Sequence, residues 1–478
     1  VARSKQKVIY FNHAANINKN YGIKSLTADS IDYFCYKFNK PNRLKRRITT
    51  FPHTDIDKCK QQLLVWSKRY SHAMALDSNE YPHQEIYYDF MLATDPISTL
   101  QQSSSGAFDE LQKKITATGD WLFGYLSYDL KNDIETIQST NKNHLEFPEI
   151  LFFQPKRVWI LKNGHIEAHY PESVDPLDDW ELICSMEVNN PNTHQHNIQL
   201  KSRISRADYL RNAESLQKHI ARGDIYEVNF CMELYADDVE ISPISLFQQL
   251  NASSKSPFAA FLQANNKFLL SSSPERFLKR VGDRLISQPI KGTAKRHQNQ
   301  EDDLKAAKQL ISNEKERAEN TMIVDLVRND MARVAKKGSV EVEELCKVYP
   351  FTHVHQMIST VSANLRPEID VIDAIRACFP MGSMTGAPKL RAMQLIDQYE
   401  TTKRGLYSGA IGYIDPNGDF DFNVVIRSLQ YRSDTKYLSV QVGSALTAAS
   451  EPVSEYDECM LKAKGIMKVL HHKMTINL

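Results

Sequence analysis

The sequence predicts an α/β chain of the α+β type built on largely antiparallel sheet, and three observations carry that prediction. FAAFLQANNKFLLSS reads as two strand-like runs joined by a short polar turn. GAIGYIDPNGDFDFNVV repeats the pattern around the turn Pro416-Asn417-Gly418-Asp419, and YLSVQVGSAL follows a further polar turn. Helix patterns separate the strand runs, one from Ser205 to Arg222 and another through NEKERAENTMIVDLVRNDMARV. Strands joined by tight turns run antiparallel, whereas a doubly wound parallel sheet needs a long crossover between its strands.

The 478 residues allow two or three average domains or one large unit. With 42% hydrophobic and 24% charged residues, disorder over most of the chain is excluded. Lys and Arg number 59 against 58 Asp and Glu, and no window mixes basic with aromatic residues, so no nucleic-acid partner is expected. The short basic run Arg43 to Arg47 reads as a solvated face. Seven scattered cysteines without a C-x-x-C pair argue against zinc or redox chemistry and for reduced, mostly buried thiols in the cytoplasm. VARSKQKVIYFNH has no apolar core with a cleavage site, and no run approaches the roughly 18 apolar residues of a membrane span, so neither secretion nor a membrane partner is expected.

Residues 171–203 are polar and rich in Pro, Asn and His, the composition of a long surface connection. The main boundary is placed there. Residues 1–200 form an N-terminal scaffold with room for an effector site, and 201–478 form the catalytic region, intertwined with the first part as one unit. EIYYDFML and DWLFGYLSYDL read as strands in the scaffold and carry no chemical constellation.

Glu316 and Glu319 sit three apart on the first helix pattern, at the edge of the stripe continued by Ile323, so they should face the interior and need a cation. Glu455 and Glu458 repeat the spacing where Pro452 opens a terminal helix. Two opposed pairs would suit magnesium, a hard ion that takes oxygen ligands; each E-x-x-E alone is more commonly a salt-bridged surface. In SQPIKGTAKR, Lys291 follows Pro289 and Ile290 and precedes Gly292. An apolar setting would lower its pKa and make it a nucleophile or base, while the bland reading is a surface lysine beside a turn. FPMGSMTGAPKLRAMQLIDQYE joins a Gly-rich turn to a helix starting near Ala387 or Pro388, whose free N–H groups could hold an anion. Its spacing is not that of a Walker A loop, which favours a carboxylate over a nucleotide phosphate. Arg427 interrupts the strand VVIRSL, where carboxylate capture and a structural ion pair are equally open.

Taken together and in order, GDIYEVNF, SSSPERF, PIKGT, KERAENTMIVDLVRND, GSMTGAPK, GLYSGAIGY, VVIRS and SEYDE-x-x-x-K resemble the chorismate-utilising enzymes. These include anthranilate, aminodeoxychorismate, isochorismate and salicylate synthases. The likeness spans most of residues 205–470, with only FGYLSYDL familiar before that. It implies stacked, largely antiparallel sheets with outer helices and a cleft between the sheets. It also implies Glu319 and Glu458 as direct Mg2+ ligands, Glu316 and Glu455 acting through water, and Glu275 as the acid that protonates the departing C4 hydroxyl of chorismate. Tyr407, Arg427, Lys462 and the backbone at Gly443 would hold the two substrate carboxylates, and Ser383 would contact substrate.

PIKGT is similar to the aminodeoxychorismate-forming members, in which the lysine attacks C2 and is displaced by ammonia at C4; anthranilate synthases resemble PIAGT. Glu227 stands where the water-using members carry a lysine, which argues against water as nucleophile. Two positions depart from the pattern. Gln356 occupies the place of an expected His, with His355 pointing to the opposite face, and Ala445 replaces the second glycine near Gly443. The resemblance implies ammonia from a separate glutamine amidotransferase, because the chain shows no Cys-His-Glu glutaminase segment. The product would serve p-aminobenzoate and folate synthesis. Anthranilate synthase component I is the rival reading, and a non-catalytic chorismate- or amino-acid-binding homologue is a third.

Overall fold

Along the strand Phe90–Gln102, Phe90 and Leu92 join one buried cluster while Met91 and Ala93 join another, the period of two of a strand covered on both faces. On the strand Leu122–Leu126, Phe123 and Tyr125 enter the cluster that holds Met91, and Leu122 and Leu126 turn to a third. The shared cluster is thus a core between two sheet faces, and the other two are roofed by helices. Leu63, Trp66, Tyr209, Leu216 and Ala463 cover one side, and Phe108, Leu111, Ile323 and Ile375 cover the other. This computed structural model describes residues 44–52, 55–81, 88–137, 139–188 and 198–470, all within one compact unit. The segment VARSKQKVIYFNH, Cys35, Arg43 and part of EIYYDFML lie outside the described residues.

The named strands pair antiparallel throughout. From the long strand Ile150–Lys162 the ladder divides into two arms. One runs through Phe90–Gln102, His72–Asp77, Phe258–Ala264, Lys267–Ser273, Ser428–Arg432 and Tyr437–Leu446 to Glu227–Ala236. The other runs through Leu122–Leu126, Ala410–Ile414, Phe420–Val424, Arg276–Val281 and Arg284–Gln288 to Val354–Asn364, which also pairs with Ile290–Lys295 and Glu341–Pro350. Pairings such as Gly124 with Gly412 and Ala75 with Phe261 join residues from both sides of position 200.

The chain passes from the first arm to the second at Pro274 and Glu275, between the strands Lys267–Ser273 and Arg276–Val281. It returns through Val425, Ile426 and Arg427, between Phe420–Val424 and Ser428–Arg432. Arg427 therefore does not lie inside a strand as expected. It sits in the break with φ 51, a left-handed conformation that costs a non-glycine residue about 1–2 kcal/mol.

Two further expectations need correction. Within 171–203, Leu177–Ser185 is a helix rather than open connection, because Ile183 is fully buried and Trp180 stacks on Phe51 at 4.9 Å; residues 189–197 lie outside the described ones. In the basic run, Arg46 is not solvated. Its guanidinium donates to both Asp120 carboxylate oxygens at 2.7 Å, with side chains 7% and 2% exposed, since the strand Arg46–Phe51 packs against His165–Pro171 and turns Arg46 inward. The six described cysteines are free, and all but Cys184 are buried. Among the described residues no helix is long and apolar enough to cross a membrane.

Candidate active site

Lys291 stands on the strand Ile290–Lys295, whose register against Val354–Asn364 shifts between Ile290 and Thr293, with Gly292 at φ 95. Such a bulge re-aims the side chain beside it. Lys291 Nζ donates to Glu227 Oε1 at 2.6 Å, the two side chains being 12% and 1% exposed. Burial alone would push the amine down, but the carboxylates of Glu227, Glu319 and Glu458 outweigh it and raise the pKa above the ordinary lysine value. The expected apolar setting with a lowered pKa is thus incorrect: Pro289 and Ile290 neighbour the lysine in sequence, while acids surround its amine in space.

Glu275, at the first crossing between the arms, is 4% exposed. Burial raises its pKa to about 7, against the opposing pull of hydrogen bonds from the Ser383 hydroxyl and the Ile290 N–H and of the charges on Lys291 and Lys462. A carboxyl so placed carries a proton near neutrality and can donate it. The glycine-rich turn thus delivers Ser383 to the acid itself. The helix after the turn begins at Lys389, with Pro388 as its cap residue.

Arg427, at the second crossing, donates from Nη1 to the Lys462 carbonyl at 3.4 Å. Among the described residues no carboxylate hydrogen-bonds to it, and burial lowers its pKa. A buried guanidinium in this state favours an incoming anion. Tyr407 is buried close enough to feel the Arg427 charge, and burial pushes its phenol well above the ordinary value. Lys462 Nζ donates to the Gly443 carbonyl at 2.8 Å and pairs with Glu458 at 2.6 Å. Arg427, Tyr407, Gly443 and Lys462 therefore converge, as expected.

The two glutamate pairs face each other across Lys315, whose Nζ is 3.4 Å from Glu455 and 3.9 Å from Glu319. Asn313 caps the helix Glu314–Ala332 by accepting from the Glu316 N–H, and Pro452 opens the helix Pro452–Val469. The Ser444 hydroxyl donates to Glu455. Burial raises Glu319 to about 7 and Glu316 above its ordinary value, with neighbouring acids adding to both. The Glu458 side chain is 47% exposed, and Lys462 with the other nearby lysines holds it below its ordinary value. Among the described residues no group of three or more His, Cys, Asp or Glu side chains is placed to hold a metal ion, and Lys315 and Lys462 engage three of the four acids. All four acids are carboxylates, the oxygen donors that a hard divalent cation takes, and Glu316 and Glu319 stay raised despite the neighbouring lysines.

Gln356 is 5% exposed, sits opposite Thr293, and has a buried Oε1 without a hydrogen-bond partner. His355 turns away to Asp303 at 3.0 Å, so the two side chains leave opposite faces as expected. Ala445 pairs with Asn229.

Three residues have positioning roles that the sequence reading did not assign. Glu227 is the direct partner of Lys291. Asn320 donates from Nδ2 to the carbonyls of Lys291 at 3.4 Å and Met357 at 3.3 Å. Arg404, buried against Glu400, donates to the carbonyls of Met384 at 2.6 Å and Asn229 at 2.7 Å, tying the glycine-rich turn to the Glu227 strand. Glu227 entered the sequence reading only as an argument against water, and Asn320 and Arg404 left no trace in it.

Comparison with known proteins places this geometry. The family model described as chorismate binding enzyme matches residues 58–468. Over 271 residues the chain is 44% identical to aminodeoxychorismate synthase of Streptomyces griseus, covering 56% of this chain and 37% of that longer protein. Over 369 residues it is 33% identical to anthranilate synthase component 1 of Acetivibrio thermocellus, covering 73% and 74%. The crystal structure of anthranilate synthase component I from Streptococcus pneumoniae superposes with a TM-score of 0.71 at 25% identity, covering 80% of this chain and 93% of that one.

Proposed function

The chain belongs to the chorismate binding enzyme family, and from that premise we propose that it aminates chorismate at C4 to give 4-amino-4-deoxychorismate. The observation that carries this reading is Lys291, held 2.6 Å from Glu227 and beside Glu319 and Glu458. A surface lysine would show none of these contacts, and anthranilate synthases resemble PIAGT at this point.

Arg427, Lys462 and Tyr407 hold the substrate carboxylates. Glu275 gives its proton to the C4 hydroxyl as that group leaves. Lys291 attacks C2, and ammonia then adds at C4 as the lysine is released. Glu319 and Glu458 directly, and Glu316 and Glu455 through water, are the residues that would hold magnesium, whose charge would neutralise the ring carboxylate. A separate glutamine amidotransferase supplies the ammonia, a lyase converts the product to p-aminobenzoate for folate synthesis, and the free thiols suit the cytoplasm.

The test incubates the chain with chorismate, magnesium and ammonium and identifies the product by mass. Aminodeoxychorismate keeps the enolpyruvyl group; anthranilate, the product named by the relative at 33% identity, has lost pyruvate. Lys291→Ala is expected to abolish aminodeoxychorismate formation. Normal turnover in that variant rejects the assignment.

A further inference from the structure

An ammonium group has no lone pair, so Lys291 must lose a proton before it can form a bond to carbon. We infer that Glu227 takes that proton and returns it when the lysine is released, a role that rests on the proposed amination chemistry.

The geometry singles out Glu227 among the acids. Its Oε1 accepts from Lys291 Nζ at 2.6 Å. Its Oε2 is buried and has no hydrogen-bond partner, which leaves the carboxylate free to hold a proton. The other charged groups around the pair are engaged otherwise. Glu458 pairs with Lys462 and Glu319 lies near Lys315. Glu316 is on the same helix as Glu319, and Glu275 must keep its own proton for the leaving hydroxyl.

Glu227 is also held rigidly. Glu227 and Val228 pair with Ala387 and Gly386, and a Cβ on Gly386 would lie 2.1 Å from the Glu227 carbonyl oxygen, so the glycine-rich turn seats directly on this strand. Proton transfer from an ammonium to a carboxylate is opposed by about six pKa units in water. Both side chains are buried, 12% and 1% exposed, where each charged form is disfavoured.

The protons balance. Lys291 passes one to Glu227; the freed amine bonds to C2, both ring double bonds shift, and the C4–O bond breaks with the proton of Glu275, releasing water. Ammonia then bonds to C4 as the C2–N bond breaks. Glu227 returns its proton to the departing amine, and the new C4 ammonium re-protonates Glu275.

Glu227→Gln keeps the size and a hydrogen bond but cannot hold the proton. It is expected to lower the ammonia-dependent kcat by about 100-fold or more with little change in chorismate KM, and to make kcat climb about tenfold per pH unit below about pH 7, where Glu275 still holds its proton, as solvent takes the lysine proton instead. Glu227→Asp should recover part of the rate. A Glu227→Gln enzyme with the wild-type kcat and pH profile overturns the inference.

A measurement on the unaltered chain stands independently of whether the variants fold. With chorismate and magnesium but no ammonia, the rate at which Lys291 gains the mass of chorismate less one water should be nearly independent of pH between about 5.5 and 7, where Glu275 still holds its proton, if an internal base serves it. An adduct rate that rises tenfold per unit sinks the role of Glu227 alone. Absence of any adduct, together with anthranilate as the product once ammonium is supplied, sinks the underlying function as well.

Discussion

Lys462 donates from Nζ to the carbonyl oxygen of Gly443 at 2.8 Å, and it does so at a position where no side chain fits. A Cβ on Gly443 would fall 2.5 Å from Cys231 Sγ and 3.0 Å from Asn229 Oδ1. Gly443→Ala should therefore push two paired strands apart, cost about 1–3 kcal/mol of stability, and displace the carbonyl that orients Lys462. Thermal unfolding and the chorismate KM measure the two effects, and an unchanged KM would remove Gly443 from the substrate pocket.

The Glu275 carboxyl, raised to about 7 by burial, must be protonated to act. As pH rises through that value the active form is lost, so kcat/KM for chorismate should fall on the alkaline side of about pH 7. Glu275→Gln should lower kcat by about 100- to 10,000-fold. A wild-type profile flat from slightly acid to clearly alkaline pH would contradict the assignment.

Glu275 and Glu319 are both raised from 4.5 to about 7. Between those values the folded chain keeps protons that the unfolded chain has released, so without a cation stability falls as pH rises through the window. Magnesium should restore it, with a larger Tm increase at pH 8 than at pH 5. Glu319→Gln should be more stable than wild type at pH 8 without magnesium and lose most of the magnesium response. A Tm indifferent to magnesium at both pH values tells against the cation site.

Asp330 is 3% exposed, and Lys389, at the start of the helix after the glycine-rich turn, supplies its charge partner. Burial already raises the Asp330 pKa and Lys389 opposes the rise. Lys389→Met would leave the buried carboxylate only the more distant guanidinium of Arg333, 3.9 Å away, with an expected loss of about 3 kcal/mol in urea unfolding. Adding Asp330→Leu should recover much of it.

The class of fold was legible because hairpin turns such as Pro416 to Asp419 are local chemistry, and the helices were legible from periodicity and caps such as Ser205 and Pro452. The two acid pairs were legible for the same reason, since spacing along a helix fixes a shared face. The sign of the Lys291 shift was not legible, because it depends on Glu227, Glu319 and Glu458, which reach it from three different elements. Arg427 was misplaced for a similar reason: an apolar run reads as one strand whether or not the chain changes arms within it. The Arg46–Asp120 pair was hidden because burial of a charge depends on a partner from elsewhere in the chain.

The strand Glu227–Ala236 completes its ladder only with Tyr437–Leu446, and the helix bearing Glu455, Glu458 and Lys462 comes later still. During synthesis the first arm must therefore wait, one edge open, until Tyr437–Leu446 has emerged. A nascent or C-terminally clipped molecule would hold Lys291 and Glu275 without the groups that seat a substrate. Such late closure of distant strands is slow.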